Sequence, residues 1–147
     1  MMGKVRQALT SDYSAVMKLM QKLNPDDSQS DTAISNSVFS EILNSSNLQI
    51  LLIENNEEVV GTCYLNIIPN LTRSARPYAV IENVVINPEL HGCGFGKIIV
   101  KAAIQQAFDN DCYKVMLMTG RDEGVRQFYE KCGMNSSSKS ALIIRND

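Results

Sequence analysis

The hydrophobic positions of this chain fall into two spacings that alternate along it, which predicts strands and helices interleaved. Residues 4–9 read as a short first strand, after which Thr10 or Ser11 with Asp12 offers a helix N-cap. Val16, Leu19, Met20 and Leu23 recur at i, i+3, i+4 and i+7, the spacing of one buried helical face, and Asn24-Pro25 ends that helix. Residues 26–31, D-D-S-Q-S-D, form a polar connection, and Ile34, Val38 and Ile42 then mark a second helix ending near Asn44. Residues 48–53 and 59–68 are apolar runs on either side of Asn55-Asn56, the pattern of a hairpin, and Pro69 closes it.

Residues 78–86 are rich in β-branched and aromatic side chains and predict a central strand, stopped by Asn87-Pro88. Gly92, Gly94 and Gly96 follow in a turn, and from Lys97 the spacing becomes helical, with Ile98, Ile99, Ala102, Ala103 and Ile104 on a broad apolar face reaching about Phe108. Residues 113–119 predict another buried strand. A helix separates it from residues 78–86, so the two strands should be parallel neighbours. Gly120 breaks this strand; Val125, Phe128, Tyr129 and Cys132 share one face of a last helix, and Gly133 is a natural C′ residue. Residues 136–145 are expected to add a last strand pair or hairpin. The sum is an α/β fold, and with no repeat or linker in the sequence residues 1–147 read as one domain.

Composition changes this picture little. Apolar residues at 44% and charged residues at 20% suit a globular protein of 147 residues, and a formal net charge of -2 gives no electrostatic case for nucleic acid. No run of eighteen apolar residues points to a membrane span. Cys63, Cys93, Cys112 and Cys132 lie far apart and His91 is the only histidine, so no metal site is expected; free thiols in a reducing cytoplasm are the simplest reading.

The chemistry concentrates in the glycine turn. A strand running into glycines and then a helix leaves first-turn N–H groups free to favour a negatively charged group such as a phosphate. A Walker loop would need glycine where His91 stands and Ser or Thr where Ile98 stands, and a dinucleotide fingerprint begun at Gly92 would need its third glycine at Lys97. Glu82 is a carboxylate in an otherwise apolar strand. Its burial would be costly and would raise its pKa toward that of a useful base, unless it faces solvent or pairs with Arg76. Arg73 and Arg76, on the loop before that strand, either bind an anionic group of a substrate or are solvated. A Cys93–His91 nucleophile is disfavoured, since neighbours on a turn rarely face each other and no third group orients them.

The element order, the turn His91-Gly92-Cys93-Gly94-Phe95-Gly96 and the helix F-Y-E-K-C-G-M at residues 128–134 resemble the GNAT superfamily of acyl-CoA-dependent N-acetyltransferases. The words I-E-N-V-V-I and C-Y-K-V look like its glucosamine 6-phosphate N-acetyltransferase branch, with Asn83 where that branch has Asp. The resemblance implies a GNAT-type mixed central sheet with flanking helices and a splayed parallel strand pair. It implies that the main chain of Val84, Val85 and Ile86 pairs with the pantetheine arm of acetyl-CoA. His91, Gly92, Cys93, Gly94, Phe95, Gly96 and Lys97 would then hold the pyrophosphate, and Thr119 is counted with the cofactor-binding residues. Tyr129 would stand beside the CoA sulfur to protonate the leaving thiolate, although its apolar helical face also fits a core tyrosine, and a backbone N–H near Val84 would meet the oxyanion. The implied function is acetyl transfer from acetyl-CoA to a primary amine of a small molecule, by direct attack in a ternary complex. The alternatives are a non-catalytic acyl-CoA-binding module and a protein or peptide amine acetyltransferase. A homodimer built through sheet edges or last strands is compatible with the family.

Overall fold

The structure, a computed structural model, describes residues 3–28 and 31–146; the middle of the polar connection, residues 29 and 30, lies outside the described residues. The elements follow in the order β1 (Lys4–Gln7), a 3-10 turn (Thr10–Asp12), α1 (Tyr13–Leu23), α2 (Thr32–Asn44), β2 (Leu48–Asn55), β3 (Glu58–Ile68) and α3 (Thr72–Ala75). They continue with β4 (Tyr78–Ile86), a second 3-10 turn (Pro88–Leu90), α4 (Phe95–Asp109), β5 (Val115–Leu117) and α5 (Glu123–Lys131). The strands form one five-stranded sheet in the order β1-β2-β3-β4-β5, antiparallel throughout except that β4 and β5 are parallel. The expected hairpin is β2–β3, and the helix-separated parallel pair is β4–β5.

Alternation along the strands divides the core between the two faces of the sheet. Cys63, Leu65 and Ile67 of β3 and Ala79 and Ile81 of β4 pack with Ile99, Val100, Ala103 and Ala107 of α4. On the opposite face Ile50 and Leu52 of β2 pack with Val16 of α1 and Phe39 of α2, and Tyr64 lies against them. Each fully buried aliphatic side chain here contributes about 1.5–3 kcal/mol relative to exposure. Arg6 ties β1 to both neighbours: its guanidinium donates to the two carboxylate oxygens of Asp12 at 2.7 and 3.0 Å and to Glu54 at 2.6 Å.

The structure corrects several expectations. Helix α4 starts at Phe95, two residues before Lys97, because Gly94 takes the left-handed conformation at φ 90° and serves as its N-cap. On α2 the packing residues are Phe39, Ile42 and Leu43, whereas Ile34 and Val38 are exposed. Of the three positions the spacing selected, Ile42 packs as expected, and the sheet-facing side is turned toward Phe39 and Leu43 rather than Ile34 and Val38. Val125 of α5 is likewise exposed. The loop before β4 contains the single turn α3, in which Arg73, Ser74 and Ala75 all have positive φ, 55°, 60° and 60°.

Strand β5 has only three residues where seven were expected, because its ladder to β4 ends at Ile81↔Leu117. The tail forms no strand within residues 136–146. Asn135 turns the chain by accepting from the N–H groups of Ser137 and Ser138, and the apolar Leu142 and Ile144 are 93% and 96% exposed. With no strand of this chain laid alongside, an apolar sequence alone does not produce a ladder.

Candidate active site

The site begins where β4 and β5 part. Their ladder holds three residue pairs, Ala79↔Val115, Val80↔Met116 and Ile81↔Leu117, and β4 then runs on through residues 82–86 without β5 beside it. This is the splayed pair.

On its other edge β4 carries a β-bulge. The register with β3 steps from Thr62↔Val85 to Tyr64↔Glu82, so Asn83 and Val84 both stand opposite Cys63, and Asn83 has φ 51°. Asparagine tolerates that left-handed conformation better than most residues. The extra residue resets the alternation. Ala79 and Ile81 pack toward α4, and so do Val84 and Ile86. Glu82, paired across the ladder with Tyr64, and Asn83, the extra residue of the bulge, are therefore both left on the α1 and α2 face. Burial pushes the Tyr64 hydroxyl above its ordinary pKa, and the Asn83 amide opposes that shift.

Tyr129 lies on the α4 side of the sheet. It lies half-buried on α5, packed edge to face on Phe128 with ring centroids 5.0 Å apart. The helix is capped by Asp122, which accepts from the Val125 N–H at 3.1 Å. At its other end Gly133, at φ 97°, closes a Schellman turn through Gly133 N–H to Glu130 and Met134 N–H to Tyr129. Burial raises the pKa of the Tyr129 hydroxyl, and the neighbouring Cys132, Cys63 and Glu82 add to the effect. Tyr129 thus packs on the α4 side of the sheet with the cluster that holds Cys63 and Cys132, and the charge of Glu82, on the other face of β4, adds to the raised pKa of its hydroxyl. Glu82 itself is exposed, so the cost of burying a charge does not apply to it. Sequence reasoning missed Tyr64 and Cys63; the adjacent polar pair Glu82-Asn83 within an apolar strand was the available signal, since both can leave the core only at a bulge.

Beyond the split lies the glycine turn. Gly92 and Gly94 have φ 83° and 90°, and a Cβ on either would meet nothing within 4 Å: it would project into open space. The first helical N–H to find a partner is that of Ile98, bonded to the Gly94 carbonyl at 3.2 Å, which leaves those of Phe95, Gly96 and Lys97 for an anion. Free N–H groups with no side chain over them suit a pyrophosphate.

The other residues of the turn have distinct placements. The Cys93 N–H is already bonded to Leu90 at 3.2 Å, and the Cys93 side chain is exposed. The Phe95 ring is in the core, so only its backbone faces the turn. Gly96 has a different reason to be glycine, because a Cβ there would stand 3.1 Å from Cζ of Phe128. His91 donates from Nε2 to the Ile86 carbonyl at 3.1 Å, fastening the turn to the end of β4. Lys97 is exposed at the first turn of α4, and Thr119 is exposed just past β5.

Arg73 and Arg76 are not brought to this point. They precede β4, and Arg76 lies six residue steps before Glu82, most of them along the strand at about 3.3 Å each. Arg76 bonds the Asp111 carboxylate at 3.1 Å, and the Arg73 guanidinium lies 5.6 Å from the centre of the Tyr113 ring. A groove of about 440 Å³ between α1 and α2, lined by Tyr13, Met17, Met20 and Ser35 among others, borders neither Glu82 nor Tyr129. Among the described residues no three His, Cys, Asp or Glu side chains cluster as metal ligands, and no helix is long and apolar enough to cross a membrane.

Fold and site together define an α/β protein with an open glycine turn just beyond a split parallel strand pair. The chain belongs to the GNAT family: the family model described as Acetyltransferase (GNAT) family matches residues 13–134. Glucosamine 6-phosphate N-acetyltransferase of Trypanosoma brucei brucei is 33% identical over 85 residues, 58% of this chain and 56% of that protein, so the match spans little more than half of that relative's length. A solved structure from Agrobacterium tumefaciens, assigned as an acetyltransferase, is 43% identical and superposes with a TM-score of 0.93 over 97% of this chain and 99% of its own. The structure of glucosamine-6-phosphate N-acetyltransferase from Arabidopsis thaliana has a TM-score of 0.84 at 26% identity, covering 99% of each chain.

Proposed function

We propose that the protein transfers an acetyl group from acetyl-CoA to a primary amine of a small-molecule acceptor, by direct attack in a ternary complex. The observation that carries this reading is the parting of β4 from β5 directly before a glycine turn whose first-turn N–H groups have no partner, in a chain of the GNAT family. Acetyl-CoA is the cosubstrate: its pyrophosphate rests on the N–H groups of Gly94 to Lys97, and its pantetheine arm runs along the unpaired edge of residues 84–86. A cytoplasmic location fits the free thiols.

In the reaction the acceptor ammonium gives a proton to Glu82, directly or through water. The amine lone pair then forms the C–N bond at the thioester carbonyl carbon, and the oxyanion takes a main-chain N–H near Val84. The C–S bond breaks, and Tyr129 delivers its hydroxyl proton to the departing thiolate. The remaining proton on nitrogen returns to the tyrosinate. The raised pKa of Tyr129 suits the donor of that step, because the hydroxyl stays protonated at neutral pH.

The test is thiol release with a panel of primary amines. Tyr129→Phe should lower kcat by about 10²-fold, the usual scale of a lost general acid, while the Kd for CoA stays within a factor of two of wild type, about 0.4 kcal/mol. An unchanged single-turnover rate in that variant would remove Tyr129 as the acid.

A further inference from the structure

We infer that Phe128 is a positioning residue for the transfer step: its ring, set between the first turn of α4 and the ring of Tyr129, fixes the phenol in relation to a pyrophosphate bound at the glycine turn. This rests on the acetyl-transfer reading with Tyr129 as the acid. It adds a residue that touches neither the acceptor nor the cosubstrate.

Three elements meet at Gly96. A Cβ there would stand 3.1 and 3.4 Å from Cζ and Cε2 of Phe128 and 3.6 Å from Cγ1 of Ile86, so a ring of α5 and the last residue of β4 both press on the first turn of α4. Gly96 is also the middle one of the three residues whose N–H groups are left for an anion. The same Phe128 ring meets Tyr129 edge to face, with 71° between the ring planes and centroids 5.0 Å apart. Consecutive residues of a helix point about 100° apart and do not ordinarily face each other. The contact therefore requires the two rings to lean together, and it ties the χ angles of Tyr129 to the place of the Phe128 ring.

Little else holds the phenol. No residue of α5 is fully buried, and Val125 is exposed. The helix rests on the core through Phe128 and Tyr129, with Cys132 at its end. Among the described residues the Tyr129 hydroxyl makes no hydrogen bond, so ring packing sets where it stands. Asp122 and Gly133 cap the helix at its two ends, and leucine is at least as good a helix former as phenylalanine. What Phe128→Leu removes is the ring that Tyr129 leans on. A misplacement of about 1 Å can cost on the order of 10²-fold in rate, and here the loss is bounded by what the hydroxyl itself supplies.

The experiment measures single-turnover thiol release from acetyl-CoA, with the fastest-reacting primary amine of the panel, in wild type, Phe128→Leu, Tyr129→Phe and the double variant. Phe128→Leu alone should lower the rate about 10-fold, with the Kd for acetyl-CoA within about twofold of wild type. In the Tyr129→Phe background, where no hydroxyl is left to place, the same substitution should change the rate by less than about twofold. A merely structural role would lower the rate by the same factor in both backgrounds. Gly96→Ala, which pushes on the ring from the other element, should show the same fading effect at saturating acetyl-CoA, and it decides the matter should Phe128→Leu not fold. An unchanged rate in Phe128→Leu, or equal losses in both backgrounds, would overturn the inference while leaving Tyr129 as the acid. If Tyr129→Phe alone leaves the rate unchanged, or no amine of the panel releases thiol, the reading beneath it falls and the inference with it.

Discussion

Three neighbouring residues of the turn do three different jobs. Gly94 keeps the cradle open, Gly96 admits Phe128, and His91 anchors the turn to the carbonyl of Ile86. Gly94→Val places a β-branched residue at φ 90° and its side chain in the anion's space. Calorimetric titration should show acetyl-CoA affinity reduced at least about 100-fold, roughly 3 kcal/mol, with the circular dichroism of the fold retained; tight binding would refute the cradle. His91→Ala should raise KM for acetyl-CoA about threefold to tenfold with kcat little changed, the scale of one hydrogen bond, and His91→Gln, whose amide can also donate, should restore it. The direction of the Tyr129 shift carries a pH consequence. Its hydroxyl must be protonated to act as the acid and its pKa lies above the ordinary 10.0, so the alkaline fall in kcat due to this group should come only above pH 10. A fall of wild-type kcat near neutral pH that vanishes in Tyr129→Phe would contradict the assignment.

At the scale of elements, α4 and α5 meet where Gly96 lets the Phe128 ring approach. Gly96→Ala should therefore destabilise the protein by about 1–2 kcal/mol in urea unfolding, and Phe128→Leu should relieve part of that cost in the double variant; strictly additive effects would show that the two do not touch. The hairpin β2–β3, strand β4, the glycine turn and the C-cap at Gly133 were legible in the sequence because each is set locally, by β-branched runs, Asn-Asn, alternating glycines or one left-handed residue. Other elements were not, because they depend on what lies alongside. The length of β5 is limited by β4 leaving it, the tail at Leu142 has an apolar sequence but no strand beside it, and Ile34 and Val38 are turned outward by how α2 sits on the sheet. The candidate site divides in the same way. Tyr129, Glu82 and the turn were visible as motifs and as a misplaced charge. The placement of Tyr64 opposite Glu82 depends on a register step at Cys63 that no local pattern encodes, and the partners of Arg73 and Arg76 come from residues far along the chain.

Over the whole molecule, Arg6 joins the first strand to the hairpin and to the start of α1 through Glu54 and Asp12. The Arg6 guanidinium, by hydrogen bond first and charge second, holds the Asp12 carboxyl below its ordinary pKa of 3.8, although burial works against it. A folded value below the unfolded one stabilises the protein above pH 3.8, and that contribution is lost as pH falls through the folded value. Arg6→Met should cost about 2–3 kcal/mol at pH 7 and flatten the acid limb of stability against pH; an acid limb equal to wild type would place its origin elsewhere. The three-pair ladder of β5 has a consequence in time. Amides of residues 115–117 are held to the sheet by a short parallel ladder on one side only, while those of β2 and β3 lie in long antiparallel ladders. In hydrogen exchange the β5 amides should open in a local event well before global unfolding, and the wall of the split would close and reopen many times within the lifetime of one folded molecule.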